Sequence, residues 1–395
     1  MTRVTVSLKT WVSLLALIFL VVSSAVGAAR SRENMLQGSH GDSSVLPKSC
    51  RACHKGMTIA LSGEEYPCLA CHASATNRDQ MVKGGYLKTT GNDRSVDIEA
   101  ELNKAYNHPV LTVQGVHRQF EALPEEVVNA ARHAECVDCH NPHLTEKDAP
   151  FRGLRGRRVG NFIADIEQEY ELCYRCHSDS ANLPGNYSNK HAEFKVTNPS
   201  YHPVMDEGKN TYVISLKEPY VAKKEKPADV SRITCGDCHG SDDPNGPRGP
   251  HGSNYPGLLK LNYQTEDARP ESAFTYELCY KCHDRNSILS NESFPYHALH
   301  IQGKLTGQDG TSCFTCHDAH GSSQYQHLIR FNEDVVFETK GQAAAATSTT
   351  TNVNSVSVIE TTLSGKLKYD AQGYSARHGA CFLNCHGVEH NPKEY

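Results

Sequence analysis

The sequence predicts a coil-rich fold of short α-helices with a minor β-hairpin near the C-terminus. It is built around stations along the chain rather than around one apolar core. Three observations predict it. A five-residue pattern, Cys-x-x-Cys-His, recurs seven times in 395 residues. Gly and Pro are abundant, at 29 and 18 residues, and interrupt the chain before long apolar-periodic helices can form. A two-motif block is also repeated with insertions, which marks a modular chain.

The seven copies are Cys50-Cys53-His54, Cys68-Cys71-His72, Cys136-Cys139-His140, Cys173-Cys176-His177, Cys235-Cys238-His239, Cys279-Cys282-His283 and Cys313-Cys316-His317. An eighth, Cys381-Phe-Leu-Asn-Cys385-His386, carries one inserted residue. Together they use all 16 Cys. The pattern is that of a c-type haem attachment site, in which two thiols add across the vinyl groups and the adjacent His ligates the iron. A Cys pair alone also fits a zinc knuckle or a redox dithiol. Here His follows every one of seven pairs, although only 22 of 395 residues are His, so haem is the reading of the set. For Cys381 and Cys385 a disulfide is the alternative. The expected complement is about eight haems c, with His54, His72, His140, His177, His239, His283, His317 and His386 as proximal iron ligands.

Roughly 46 residues then serve each cofactor, so every macrocycle must act as local core. The N-terminus suits this chemistry, because c-type haem is attached outside the cytoplasm. Arg3 and Lys9 precede the apolar run Leu14 to Val22, and small residues Ser23 to Ala29 follow, the layout of a secretory signal peptide over 1–28. An uncleaved anchor is the alternative, on a run short for a membrane span. The formal charge is −5. Haem propionates, partly offset by ferric iron, take it to roughly −13, which disfavours nucleic acid as a partner. The basic runs Arg152 to Arg158 and Lys223 to Lys226 are read as solvated loops, or as groups that neutralise propionates or dock an acidic redox partner.

Asn107-His108-Pro109-Val110, the Cys136 motif and Tyr170-Glu-Leu-Cys173 recur as Tyr201-His202-Pro203-Val204, the Cys235 motif and Tyr276-Glu-Leu-Cys279. The expected organisation is a two-haem segment over 40–100, two-haem modules over 101–200 and 201–290, and a C-terminal two-haem segment over 291–395. One helical turn is expected to lead into each of Cys173 and Cys279. Leu328 to Phe331, Val335 to Phe337 and Lys366 to Tyr369 read as short strands. The Ser/Thr/Ala-rich stretch within 341–358 reads as a loop or hairpin tip, or as a surface for self-association.

Met is too scarce, at 5 residues, to cap eight irons, so the sixth ligands are expected to be His. Such an array sits lower in potential than His/Met cytochromes. The candidates are His40, His108, His133, His143, His202, His251, His297, His300 and His320. His143 and His320 each trail a motif within a tight turn, which aims them away from their own haem. His108 and His202 occupy one repeat position. His117, His191, His327, His378 and His390 read as structural or exposed.

Ser49-Cys-Arg-Ala-Cys-His54, Arg132 to His143, Ser312 to His320 and the two Leu-Cys-Tyr-(Arg/Lys)-Cys-His runs resemble the doubled-CXXCH multihaem (octahaem) c-type cytochromes of metal-respiring bacteria. The resemblance covers about 40–325 and, more weakly, Cys381 to Pro392. It implies bis-His haems in a chain, an extracytoplasmic location and electron transfer without catalysis. Implied partners are other multihaem cytochromes or membrane redox complexes, and an extracellular acceptor such as a metal oxide. Two other functions are consistent with the motifs. One is a reductase of nitrogen or sulfur oxyanions, which needs an open iron; every motif here ends in His, so the Cys-x-x-Cys-Lys form is absent. The other is a homo-oligomer or filament subunit, which would still conduct electrons.

Overall fold

The computed structural model describes residues 36–54, 65–88, 97–111, 134–145, 149, 151–159, 162–179, 188–210, 212–221, 232–303, 310–340, 342–343, 351–353, 356–358, 363–371 and 377–395. The signal segment, His117, His133, Lys223 to Lys226 and most of the Ser/Thr/Ala-rich stretch lie outside them. The chain divides into two compact units, whose main boundary falls between Leu172 and Cys173, inside the 101–200 module. No described helix is long and apolar enough to cross a membrane.

The first unit holds short helices at Ser49–Cys53, Glu65–His72, Ala75–Lys83 and Ile98–Leu102, a helical turn at Cys136–Cys139, and the ladder Arg155–Val159 with Phe162–Asp165. Side-chain caps set where the chain turns. Ser74 accepts from the Asn77 N–H at 3.4 Å, and Asp97 from the Ala100 N–H at 2.9 Å. Gly85, at φ 68°, follows the end of Ala75–Lys83, a left-handed position that favours glycine.

The second unit repeats the pattern. Helical turns at Cys235–Cys238, Glu277–Tyr280, Arg285–Leu289 and His297–Gln302 and a 3₁₀ turn at Cys313–Thr315 are joined by coil. Two-residue ladders pin that coil: Tyr106–Asn107 to Gly252–Ser253, and Ser200–Tyr201 to Gly321–Ser322. Tyr276, Tyr280 and Ile301 form a buried cluster, with Cys279, Cys313, Tyr263, Ile288 and Leu289 packed against it. Cysteines of two motifs thus belong to the core itself.

A small antiparallel sheet closes the chain. Its central strand Gly379–Cys385 pairs with Lys368–Ala371, Val388–Glu394 and Val336–Phe337. Within the Ser/Thr/Ala-rich stretch, Thr351–Val353 ladders with Val356–Val358. The expected strand over Leu328 to Phe331 does not form. His327 and Leu328 are left-handed, at φ 61° and 58°, which breaks an extended run; only Ile329 makes a bridge, to His317.

Candidate haem sites

Cys-x-x-Cys places two thiols three residues apart, on one side of a helical turn. The following His leaves the helix as extended backbone: His54 at φ −108°, His140 at −115° and His239 at −99°. Each donates its N–H to the carbonyl of the first Cys, as do His177, His283 and His317, at 2.8 to 3.0 Å. In the copies Cys-Val-Asp-Cys and Cys-Gly-Asp-Cys, the Asp carboxylate closes the turn. Asp138 accepts from the Glu135 N–H at 2.7 Å and Asp237 from the Thr234 N–H at 2.8 Å. A passing segment then clamps the His backbone in a single β-bridge: His140 to Leu154, His239 to Leu259, His283 to Leu216 and His317 to Ile329.

These turns bring imidazoles together in pairs. In the first unit the ring centres of His40 and His72 lie 6.1 Å apart, and those of His54 and His143 lie 6.2 Å apart. In the second unit His202 and His283 are separated by 6.4 Å, His239 and His320 by 6.3 Å, and His297 and His317 by 6.3 Å. In every pair one ring belongs to a motif and the other to a sequence-expected distal candidate. Two imidazole nitrogens bound on opposite sides of one metal at about 2 Å, with each ring centre about 1 Å further out, put the centres about 6 Å apart. The residues therefore fit a haem iron between them.

In most of the paired rings Nδ1 meets a hydrogen-bond partner, as a ligating His requires. His40 Nδ1 donates to the Pro142 carbonyl at 2.8 Å, His239 Nδ1 to Gly257 at 2.8 Å, His317 Nδ1 to His327 at 2.9 Å, and His202 Nδ1 to Ala319. His283 Nδ1 meets Ser215 Oγ at 3.0 Å, and His297 Nδ1 meets Ser293 Oγ at 3.2 Å. The left-handed residues Gly257-Leu258 and His327-Leu328 deliver two of these carbonyls two residues before the bridge, so one segment fixes both backbone and tautomer. Burial lowers His283 and His317 to about 4 and His297 to about 3. All three are neutral near pH 7, the form that binds a metal.

The segments Cys139 to His143 and Cys316 to His320 work alike. Asn141 and Asp318 each accept the N–H of the trailing His, at 3.1 and 2.9 Å. The trailing His pairs with a second motif (His143 with His54, His320 with His239), while the carbonyl before it orients a ligand of a third (Pro142 to His40, Ala319 to His202). Four consecutive residues thus set candidate ligands for three motifs.

Asp318 also takes the His320 ring, Nδ1 to Oδ1 at 3.0 Å. Burial alone would raise this carboxyl; hydrogen bonds from His320 and the Arg330 charge instead hold it far below the usual carboxylate range. Ligating atoms of Glu193, Asp318 and His320 lie within 4.8 Å of one another, and Arg330 bridges the two carboxylates at 2.9 and 2.7 Å. The cluster braces a candidate ligand, His320. An anionic acceptor makes the imidazole more basic and favours ferric iron. Asp318→Asn is therefore expected to raise one haem potential by about 60 mV, a tenfold change in the ferric/ferrous preference; potentiometric titration checks this.

His108 and His202 stand in the same turn, each carbonyl accepting the N–H two residues on at 2.7 Å, from Val110 and Val204. His251 lies just before the strand Gly252–Ser253. His191 is paired with Asp179 at 2.7 Å, and His378 Nδ1 faces the Tyr395 carbonyl at 3.4 Å. Two placements remain. His386, expected as a proximal ligand, meets Asp267, Nε2 to Oδ2 at 2.9 Å. His390, read as structural or exposed, sits 6.4 Å from His300. The signal that could have found it is a second His after the motif, His386-Gly-Val-Glu-His390, one residue longer than His140…His143 and His317…His320.

Residues 134–328, just under half of the chain, match the family model described as outer membrane cytochrome MtrC/MtrF-like, domains II/IV. The chain is a multihaem c-type cytochrome. This cytochrome is an exported protein of electron transport. It matches no curated protein and no solved structure.

Proposed function

We propose that this cytochrome carries eight haems c and relays electrons along them, at the outer-membrane surface or beyond it, between respiratory redox proteins and an extracellular acceptor such as a metal oxide. Bound haem supplies a one-electron couple; the chain's own residues set ligand, spacing and burial at each station. The observation that carries the reading is the approach of cysteines from successive motifs. Cys279 and Cys313 are neighbours, packed against the same buried cluster. Cys238 lies near Cys279 and Cys282, and Cys316 near Cys381 and Cys385. In the second unit, stations five to eight therefore adjoin in chain order, the arrangement a relay needs. The five imidazole pairs support closed, six-coordinate irons, which favours a carrier over a reductase.

Intact-mass measurement of the exported protein is expected to give eight haems. Its ferric EPR spectrum should be wholly low-spin, with no binding of added cyanide or nitrite. A high-spin signal that nitrite removes would replace the relay with the reductase reading.

A further inference from the structure

The segments that clamp the motifs share a composition of their own. At four motifs the residue bridged to the motif His is aliphatic and the next residue is a cation. They are Leu154-Arg155 at His140, Leu216-Lys217 at His283, Leu259-Lys260 at His239 and Ile329-Arg330 at His317. Three of these dipeptides follow their motif in sequence, whereas Leu216-Lys217 precedes its own. The cation's backbone closes the bridge at three of the four. Lys217 donates its N–H to the Cys282 carbonyl, Lys260 to Cys238 and Arg330 to Cys316, each at 2.9 Å. The acceptor is always the carbonyl of the second cysteine, which a turn this short leaves without a donor of its own.

Two of the cationic side chains return to the same turn. Lys217 Nζ donates to the Tyr280 carbonyl at 2.6 Å, and Lys260 Nζ to the Gly236 carbonyl. Tyr280 and Gly236 each follow the first cysteine of their motif, so the two lysines grip equivalent atoms from opposite directions along the chain. His239 donates its N–H to Cys235, and Lys281 Nζ reaches the Asp237 carbonyl at 2.7 Å, so every carbonyl of the turn Cys235–Cys238 has a donor. Arg330 differs, because its guanidinium goes to the Glu193 and Asp318 carboxylates and its charge is cancelled there. An uncharged donor would serve a carbonyl as well; at the fifth and sixth motifs the donor is an ammonium. The Lys217 charge is felt at His283 itself where, after burial and the neighbouring imidazoles, it disfavours protonation. A fixed positive charge beside a one-electron centre favours the reduced form, which carries one positive charge fewer.

We infer that Lys217 and Lys260 are positioning residues of the sixth and fifth haem stations. Each locks its attachment turn through the second cysteine and holds there a positive charge that raises the potential of the haem. This rests on the proposed haems at Cys279 and Cys282 and at Cys235 and Cys238.

Potentiometric titration of the exported holoprotein with single replacements tests it. Lys260→Gln and Lys217→Gln keep a hydrogen-bond donor and remove the charge. Both are expected to retain the wild-type haem number by intact mass and a low-spin EPR spectrum. Lys260→Gln should shift one haem about fivefold toward the ferric form, about 40 mV downward at 59 mV per decade. Lys217 is the more exposed and its charge the more screened, so Lys217→Gln should shift one haem about threefold, about 30 mV. Lys260→Arg and Lys217→Arg, which keep the charge, should hold wild-type potentials. Lys260→Met and Lys217→Met supply the same neutral comparison should a glutamine variant fail to mature. Unmoved potentials in the neutral variants at full haem number, or equal downward shifts in the arginine variants, would overturn the assignment and leave the lysines a purely structural role. Peptide mapping that finds Cys235, Cys238, Cys279 and Cys282 without haem would instead overturn the reading beneath it.

Discussion

Prepared without haem, the chain is expected to show no cooperative thermal transition and no near-ultraviolet circular dichroism. The described helices run from 4 to 9 residues, well below the length at which isolated helices persist in water. Several ladders contain two residues a side. The buried apolar cluster around Tyr276, Tyr280 and Ile301 is completed by Cys279 and Cys313, which are proposed haem attachment points. The imidazole pairs decide the balance. Without a metal, the two imidazoles of each pair stand about 6 Å apart with no bond joining them, so the link between the segments that carry them is missing. Scanning calorimetry of chain expressed where haem attachment cannot occur measures this; a sharp melt from colourless protein would show that the polypeptide has a core of its own.

The stations were legible in the sequence because their chemistry is local. A Cys-x-x-Cys-His turn needs only five residues, and its hydrogen bond from His to the first Cys forms within them. The repeat was legible for the same reason: His108-Pro-Val and His202-Pro-Val make the same turn, and Asp138 and Asp237 close the same helix start. Pairing was not legible, because it is set by tertiary contacts. Nothing near His40 announces the Pro142 carbonyl 102 residues away that orients it. His327 shows another limit. It was read as structural, and what matters is its backbone: left-handed geometry turns its carbonyl onto His317, at the expense of the strand expected there. The eighth motif differs in local structure: Cys381 and Cys385 lie on the strand Gly379–Cys385, where the other seven copies are helical turns or helix ends.

Replacing His297 with Met is expected to raise the potential of the seventh haem and slow electron passage through the second unit. Met favours helix as well as His or better, so the turn His297–Gln302 should survive the change. A thioether ligand favours ferrous iron, and within the roughly 0.8 V that axial ligands span, a rise on the order of 100 mV is expected. The position gives the change its effect. Cys313 lies near Cys279 of the sixth motif, and Cys316 near Cys381 and Cys385 of the eighth, so the seventh station has a neighbour on each side. A centre about 100 mV above its neighbours retains its electron, and at 59 mV per decade onward transfer slows on the order of 50-fold. Potentiometry should show one haem displaced upward with the others unmoved, and stopped-flow reoxidation of the fully reduced protein should acquire a slow phase. A displaced potential with unchanged reoxidation would mean that electrons bypass the seventh station, and the chain-order relay through the second unit would have to be abandoned.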